Sequence, residues 1–154
     1  MDLQTSQALG SGASKVARSQ DVIQSYEAVV ILDPDSTVEQ QKEVFRRNKS
    51  IIESFGGSLH SLDTWGRRYL ANAIKKRRYG IYFHALFQAK PAAIAELERV
   101  MRINDKVLRF MHVKLDSRIP LSKHEERFKM ALRDSLEKDK EREARAAAAK
   151  RTQA

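Results

Sequence analysis

The sequence predicts an α+β fold in which a four-stranded antiparallel sheet carries two helices on one face, followed by a charged C-terminal extension. Three observations lead to it. Apolar residues recur at strand and helix periods only between about residues 24 and 115 of the 154. In that stretch the order reads strand, helix, strand, strand, helix, strand. Both helices are long enough to cross back over a sheet, and right-handed crossovers then place them on the same face.

Residues 25–32 (SYEAVVIL) are apolar and β-branched, as a central strand buried on both faces should be. Asp33-Pro34-Asp35 breaks the run. Ser36 and Glu39 stand at capping-box spacing, which predicts the start of the first helix. Val38, Phe45 and Ile52 recur at seven-residue spacing, with Val44, Ile51 and Phe55 beside them, and Gly56-Gly57 ends the element. A second strand is expected over 58–70 with Gly66 as a bulge, and a third over 80–89 (GIYFHALFQA). Pro91 suits the first turn of a helix whose Ile94, Leu97 and Met101 share a face. Residues 107–115 alternate as the last strand. This is the split βαβ, or ferredoxin-like, plan.

Composition divides the chain into three zones. Residues 1–23 are polar and small, which predicts a disordered extension. Residues 24–116 hold the domain, and 117–154 form a charged, alanine-rich extension. There Ser122 and Glu125 stand at capping-box spacing after Pro120, and Phe128, Leu132 and Leu136 follow at four-residue steps. Glu125–Lys129, Asp134–Lys138 and Glu141–Arg145 are i,i+4 pairs. So narrow an apolar stripe predicts partial helix that orders on a partner, or disorder. The first 22 residues lack the apolar stretch of a secretory signal, and no apolar run reaches 18 residues, so a soluble, cytoplasmic protein is expected. With no cysteine, disulfides, thiolate zinc sites and cysteine nucleophiles are excluded.

Charge narrows the partner to something anionic, RNA or an acidic membrane surface, without choosing between them. Lys and Arg number 29 against 20 Asp and Glu, a net +9. Residues 24–115 hold 16 basic and 10 acidic side chains, so much of the excess sits on the folded part. Such a surface favours polyanions, because each neutralised phosphate releases condensed counterions. Two groups stand out. Arg67-Arg68 follow Trp65-Gly66, and Lys75-Lys76-Arg77-Arg78 precede Tyr79-Gly80. Four adjacent cations in a loop repel one another unless something anionic lies against them, and RNA phosphate supplies that. The second group is Arg99, Arg102, Lys106 and Arg109. The helix dipole alone accounts for Arg102. Arg109, between Leu108 and Phe110, should project from the sheet face opposite the apolar one.

Other chemistries lack candidates. Tyr82, Phe83, Phe87 and Phe110 could stack bases as an RNA-recognition motif does, but that motif's strand-three glycine pattern is missing after Arg78, so most of these rings are expected in the core. His60, His84, His112 and His124 show no paired acid or second ligand at metal spacing. Glu96 and Glu98 face different ways on a helix. An acylphosphatase-like enzyme would need an anion cradle after the first strand, where Asp33-Pro34-Asp35 would repel phosphate. No catalytic residue, metal, cofactor or small-molecule substrate is expected.

Tyr26-Glu27 opens a strand that runs to Asp33-Pro34, and Trp65-Gly66-Arg67-Arg68-Tyr69-Leu70-Ala71 precedes Ile74-Lys75. Gly80-Ile81-Tyr82 starts the third strand, and Arg102-Ile103-Asn104-Asp105-Lys106-Val107-Leu108-Arg109 leads into the fourth. In these stretches residues 24–116 resemble the family of the sixth protein of the bacterial small ribosomal subunit. The resemblance implies a ferredoxin-like structural protein that pairs with ribosomal protein eighteen of that subunit. It also implies joint binding to the central, platform domain of the small-subunit ribosomal RNA, supporting assembly and translation. RNA or partner contact carries over to Arg67, Arg68, Lys75, Arg102 and Arg109. The chain departs from the family pattern at Asn72-Ala73, where Tyr-Pro is usual, and at Gln24-Ser25, where basic residues are usual.

Overall fold

β1 (Gln24–Leu32) runs through the middle of a four-stranded sheet, paired antiparallel with β3 (Arg77–Ala89) on one side and β4 (Val107–Lys114) on the other. β2 (Ser58–Ile74) pairs antiparallel with β3 and forms the outer edge, giving the order β2-β3-β1-β4. A computed structural model describes residues 21–152; the disordered extension expected over 1–23 lies outside the described residues as far as residue 20. Among the described residues, 21–117 form one compact unit and 118–152 form a second.

The central position of β1 explains its composition. Tyr26, Ala28, Val30 and Leu32 face the helices, where Ala85, Phe87 and Ala89 of β3 and Val107 of β4 meet them. α1 (Val38–Ser54) contributes Val44 and Ile52 to this layer, and α2 (Pro91–Arg102) contributes Ala93, Leu97 and Met101. Each large apolar side chain buried this way stabilises the fold by roughly 1.5–3 kcal/mol. Both helices therefore lie on one face of the sheet, as the crossover rule predicts. On the opposite face Ile31, Leu70 and Leu108 form a smaller apolar cluster with Ile74 and Tyr82 packed against it.

α1 starts one residue later than the sequence suggests. Thr37 is the N-cap: its hydroxyl accepts from Gln40 N–H at 3.2 Å, and Gln40 Oε1 accepts from Thr37 N–H at 3.0 Å. Ser36, expected to cap with Glu39, instead donates its hydroxyl to the Asp33 carbonyl at 2.6 Å and pins the turn after β1. Both frames satisfy the box pattern, and this turn decides between them. Val38 consequently falls in the first helical turn, 62% exposed rather than in the core. At the other end Gly56 takes φ 72°, with Gly56 N–H donating to Glu53 O and Gly57 N–H to Ile52 O, a Schellman termination. α2 begins with Pro91 in its first turn after the N-cap Lys90, as expected.

β2 and β3 form a longer hairpin than the alternation indicates. Register shifts follow Leu59, Thr64 and Tyr69, and Gly66 at the second takes φ 75°, the expected bulge. Ile74 pairs with Arg77, so Lys75 and Lys76 alone make the turn. Both have positive φ, 48° and 64°, the mirror-image geometry that matches strand twist.

The C-terminal extension is a continuous 32-residue helix, α3 (Leu121–Thr152), rather than a partly helical or disordered segment. The Pro120 carbonyl accepts from Lys123 and His124 N–H, so Ser122 lies inside the first turn and not ahead of it. Glu125–Lys129, Asp139–Arg142 and a high alanine content support helical backbone where the apolar stripe is narrow. No helix among the described residues is long and apolar enough to cross a membrane.

Candidate nucleic-acid interface

The β2–β3 hairpin sorts its cations by geometry. In sequence the four adjacent charges at 75–78 read as one repulsive loop; in the fold two occupy the turn and two open β3. Lys75 Nζ donates to the Val107 carbonyl at 3.2 Å, tying the tip to the start of β4. Arg77 reaches Asp35 at 2.7 Å and Asp33 at 3.4 Å. The anions that relieve the repulsion are thus partly internal. Lys76 and Arg78 are exposed, with no ion pair to a described residue.

Alternation along β2 puts Arg67 and Arg68 on opposite faces. Arg67 is exposed, its guanidinium 4.6 Å from the Tyr79 ring centroid. Arg68 is half-buried, 6.0 Å from the ring of Trp65. Trp65 itself stacks on Tyr82 (6.5 Å, 8°) and His84 (5.5 Å, 11°), on the sheet face away from the helices. Of the four strand aromatics, Phe83 packs on Phe45, Phe87 on Tyr26, and Phe110 against the same core, so only Tyr82 lies on that open face.

Arg109 pairs with Ile31 and is exposed on the open face, as the alternation with Phe110 predicts. Leu108, however, lies on that face too, because a register shift at Ile31/Leu32 breaks the alternation. Arg102 closes α2 on the helix side, 3.8 Å from Glu98 and 5.9 Å from the Phe110 ring centroid. Sequence reading treats Arg109 and the hairpin cations as separate groups. The fold brings them to one end of the sheet: Arg68 lies opposite Gly80, Arg109 opposite Ile31, which faces Tyr82, and Lys75 touches Val107.

Two histidines that the sequence leaves without acids acquire them through the fold. His84 Nε2 lies 3.9 Å from Glu27, and His112 Nδ1 lies 3.5 Å from Glu98. Burial pushes the His84 pKa below its ordinary 6.5, with nearby Asp63 opposing. His112 is likewise lowered by burial, with Glu98 opposing. The unfolded chain therefore takes up protons near pH 6.5 that the folded chain resists. Stability should be at its full value above that pH and fall as the pH drops toward the depressed folded values. Urea unfolding at about pH 7.5 and about pH 5 checks this; equal midpoints would remove both histidines as the cause. Among the described residues no group of three or more His, Asp or Glu side chains could hold a metal ion.

Residues 25–114 match the family described as ribosomal protein S6. The chain belongs to the ribosomal protein S6 family. Small ribosomal subunit protein bS6 of Bdellovibrio bacteriovorus is 57% identical over 115 residues, covering 75% of this chain and 76% of that protein. The bS6 protein of Geotalea daltonii is 41% identical over 95 residues, 62% of this chain and 74% of that one. The crystal structure of 30S ribosomal protein S6 from Thermotoga maritima superimposes with a TM-score of 0.58 at 26% identity, covering 70% of this chain and 99% of that one. As an S6-family member the chain is a structural protein of the small ribosomal subunit, a component of the cytoplasmic ribosome and not an enzyme. The ferredoxin-like plan predicted from element order is the S6 fold.

Proposed function

We propose that this S6-family chain binds the central, platform domain of the small-subunit ribosomal RNA jointly with ribosomal protein eighteen. One observation carries the reading: unneutralised positive charge gathers at the hairpin end of the sheet. On the helices Lys42, Arg46, Lys49 and Arg99 each pair with a glutamate one turn away. At the tip Lys76 and Arg78 are exposed, and Arg67 and Arg109 are exposed nearby on the strands. A phosphate backbone laid across that end meets several cations at once, with counterion release as the driving term. Lys75 and Arg77 hold the tip in place through Val107 and Asp33, while Arg68 lies by Trp65 on the open face and Arg102 by Phe110 on the helix side. The protein partner suits β4, where Met111 and Val113 are 51% and 38% exposed beside Arg109. Such half-apolar edges with an arginine are typical of protein interfaces.

Filter binding tests this. The chain mixed with ribosomal protein eighteen should retain central-domain RNA in preference to random RNA of equal length, and either protein alone should do so less well. Equal retention of both RNAs by the mixture would reject the proposal.

A further inference from the structure

The hairpin carries an aromatic feature on the side away from Trp65. Tyr69 and Tyr79 sit directly opposite each other in the β2–β3 pair, rings 5.3 Å apart and edge-on at 82°. Arg67, two residues from Tyr69 and on the same face of β2, lies over the Tyr79 ring. Among the described Phe, Tyr and Trp residues only these two tyrosines are exposed, Tyr69 by 63% and Tyr79 by 41%.

We infer that Tyr69, steadied by Tyr79 and Arg67, is a stacking platform for one unpaired base of the bound RNA. The inference rests on the reading that this chain binds ribosomal RNA. A cross-strand aromatic pair stabilises a hairpin, which explains why the rings meet. It does not explain why Tyr69 stays 63% exposed. The perpendicular contact with Tyr79 limits how the Tyr69 ring can turn, so a base would find it largely ordered. Arg67, on the same face, and Lys76, in the turn of the same hairpin, supply cations for the flanking phosphates. A flat π-surface with a cation beside it suits a nucleobase of any identity, because every base has a π-face. The site lies on the arm of the hairpin, not on the middle of the sheet where an RNA-recognition motif stacks its bases.

The test uses the full chain with ribosomal protein eighteen and central-domain RNA, with affinity measured across a salt series. Tyr69→Leu keeps apolar bulk on the hairpin and removes the π-face. It should weaken binding about 5- to 150-fold and leave the slope of affinity against salt unchanged, because every cation that meets a phosphate stays in place. Tyr69→Phe should bind like the wild type. A Tyr69→Leu affinity within about twofold of wild type would overturn the inference alone. So would a shallower salt slope, or a weakened pull-down of ribosomal protein eighteen in the absence of RNA, since the ring would then face protein. Wild-type protein that fails to prefer this RNA overturns the underlying reading and the inference with it.

Discussion

Replacing Lys76 and Arg78 with glutamine should leave the fold intact and make RNA binding less sensitive to salt. Both side chains are exposed at the hairpin tip and neither makes an ion pair with a described residue, so unfolding midpoints should hardly move. Each phosphate left without its cation should lower the slope of log affinity against log salt by about 0.7–0.9. The Lys75→Gln and Arg77→Gln pair should behave differently. Lys75 bonds the Val107 carbonyl and Arg77 bridges Asp33 and Asp35, so their removal frees the tip from β4 and from the turn after β1. Stability should drop measurably, and affinity should fall through misplacement of the tip. Filter binding between about 50 and 200 mM salt, beside urea unfolding of each double variant, distinguishes the two pairs. If the Lys76 and Arg78 variant keeps the wild-type slope, the tip points away from RNA.

Phe87→Ala should cost about 3–5 kcal/mol of folding stability, a large share of the roughly 5–15 kcal/mol typical of a domain. Phe87 is 1% exposed, stacked on Tyr26 at 5.6 Å and edge-on to His112 at 6.2 Å. It lies where β3, β1 and β4 present their side chains to both helices, and backbone paired on both sides of β1 leaves little freedom to collapse into the gap. Urea denaturation of the purified variant measures the destabilisation. A value under about 1 kcal/mol would mean that the neighbouring side chains refill the space.

The order of elements was legible because period and punctuation agree. Residues 25–32 read as buried strand, Gly56-Gly57 closes one helix and Pro91 opens the next, and each holds in the structure. The capping frame of α1 was not legible, since Ser36–Glu39 and Thr37–Gln40 both fit the pattern. What separates them is a hydrogen bond from Ser36 to Asp33, a product of the turn. The length of β2 was hidden by three register shifts, which disturb a period-two pattern wherever they fall. The candidate site was legible as residue types but not as roles. Nothing in a run of four cations tells that Arg77 meets aspartates more than 40 positions upstream, since long-range pairing is set by topology. The same holds for Glu27 with His84 and Glu98 with His112. The narrow apolar stripe of the C-terminal extension understates its helix, because alanine and charge pairs along its own backbone favour helix without a stripe.

The turn of the hairpin sets two demands against each other. A mirror-image two-residue turn is most comfortable with Asn-Gly, and a side chain held at positive φ costs about 1–2 kcal/mol per residue. Here both places are lysine. Sequence changes that relax this turn also remove charge from its tip, so a less strained turn is a less cationic one. A stability screen of this protein would therefore select variants at residue 76 that an RNA-binding screen rejects, while at residue 75 the lost bond to Val107 offsets the relief.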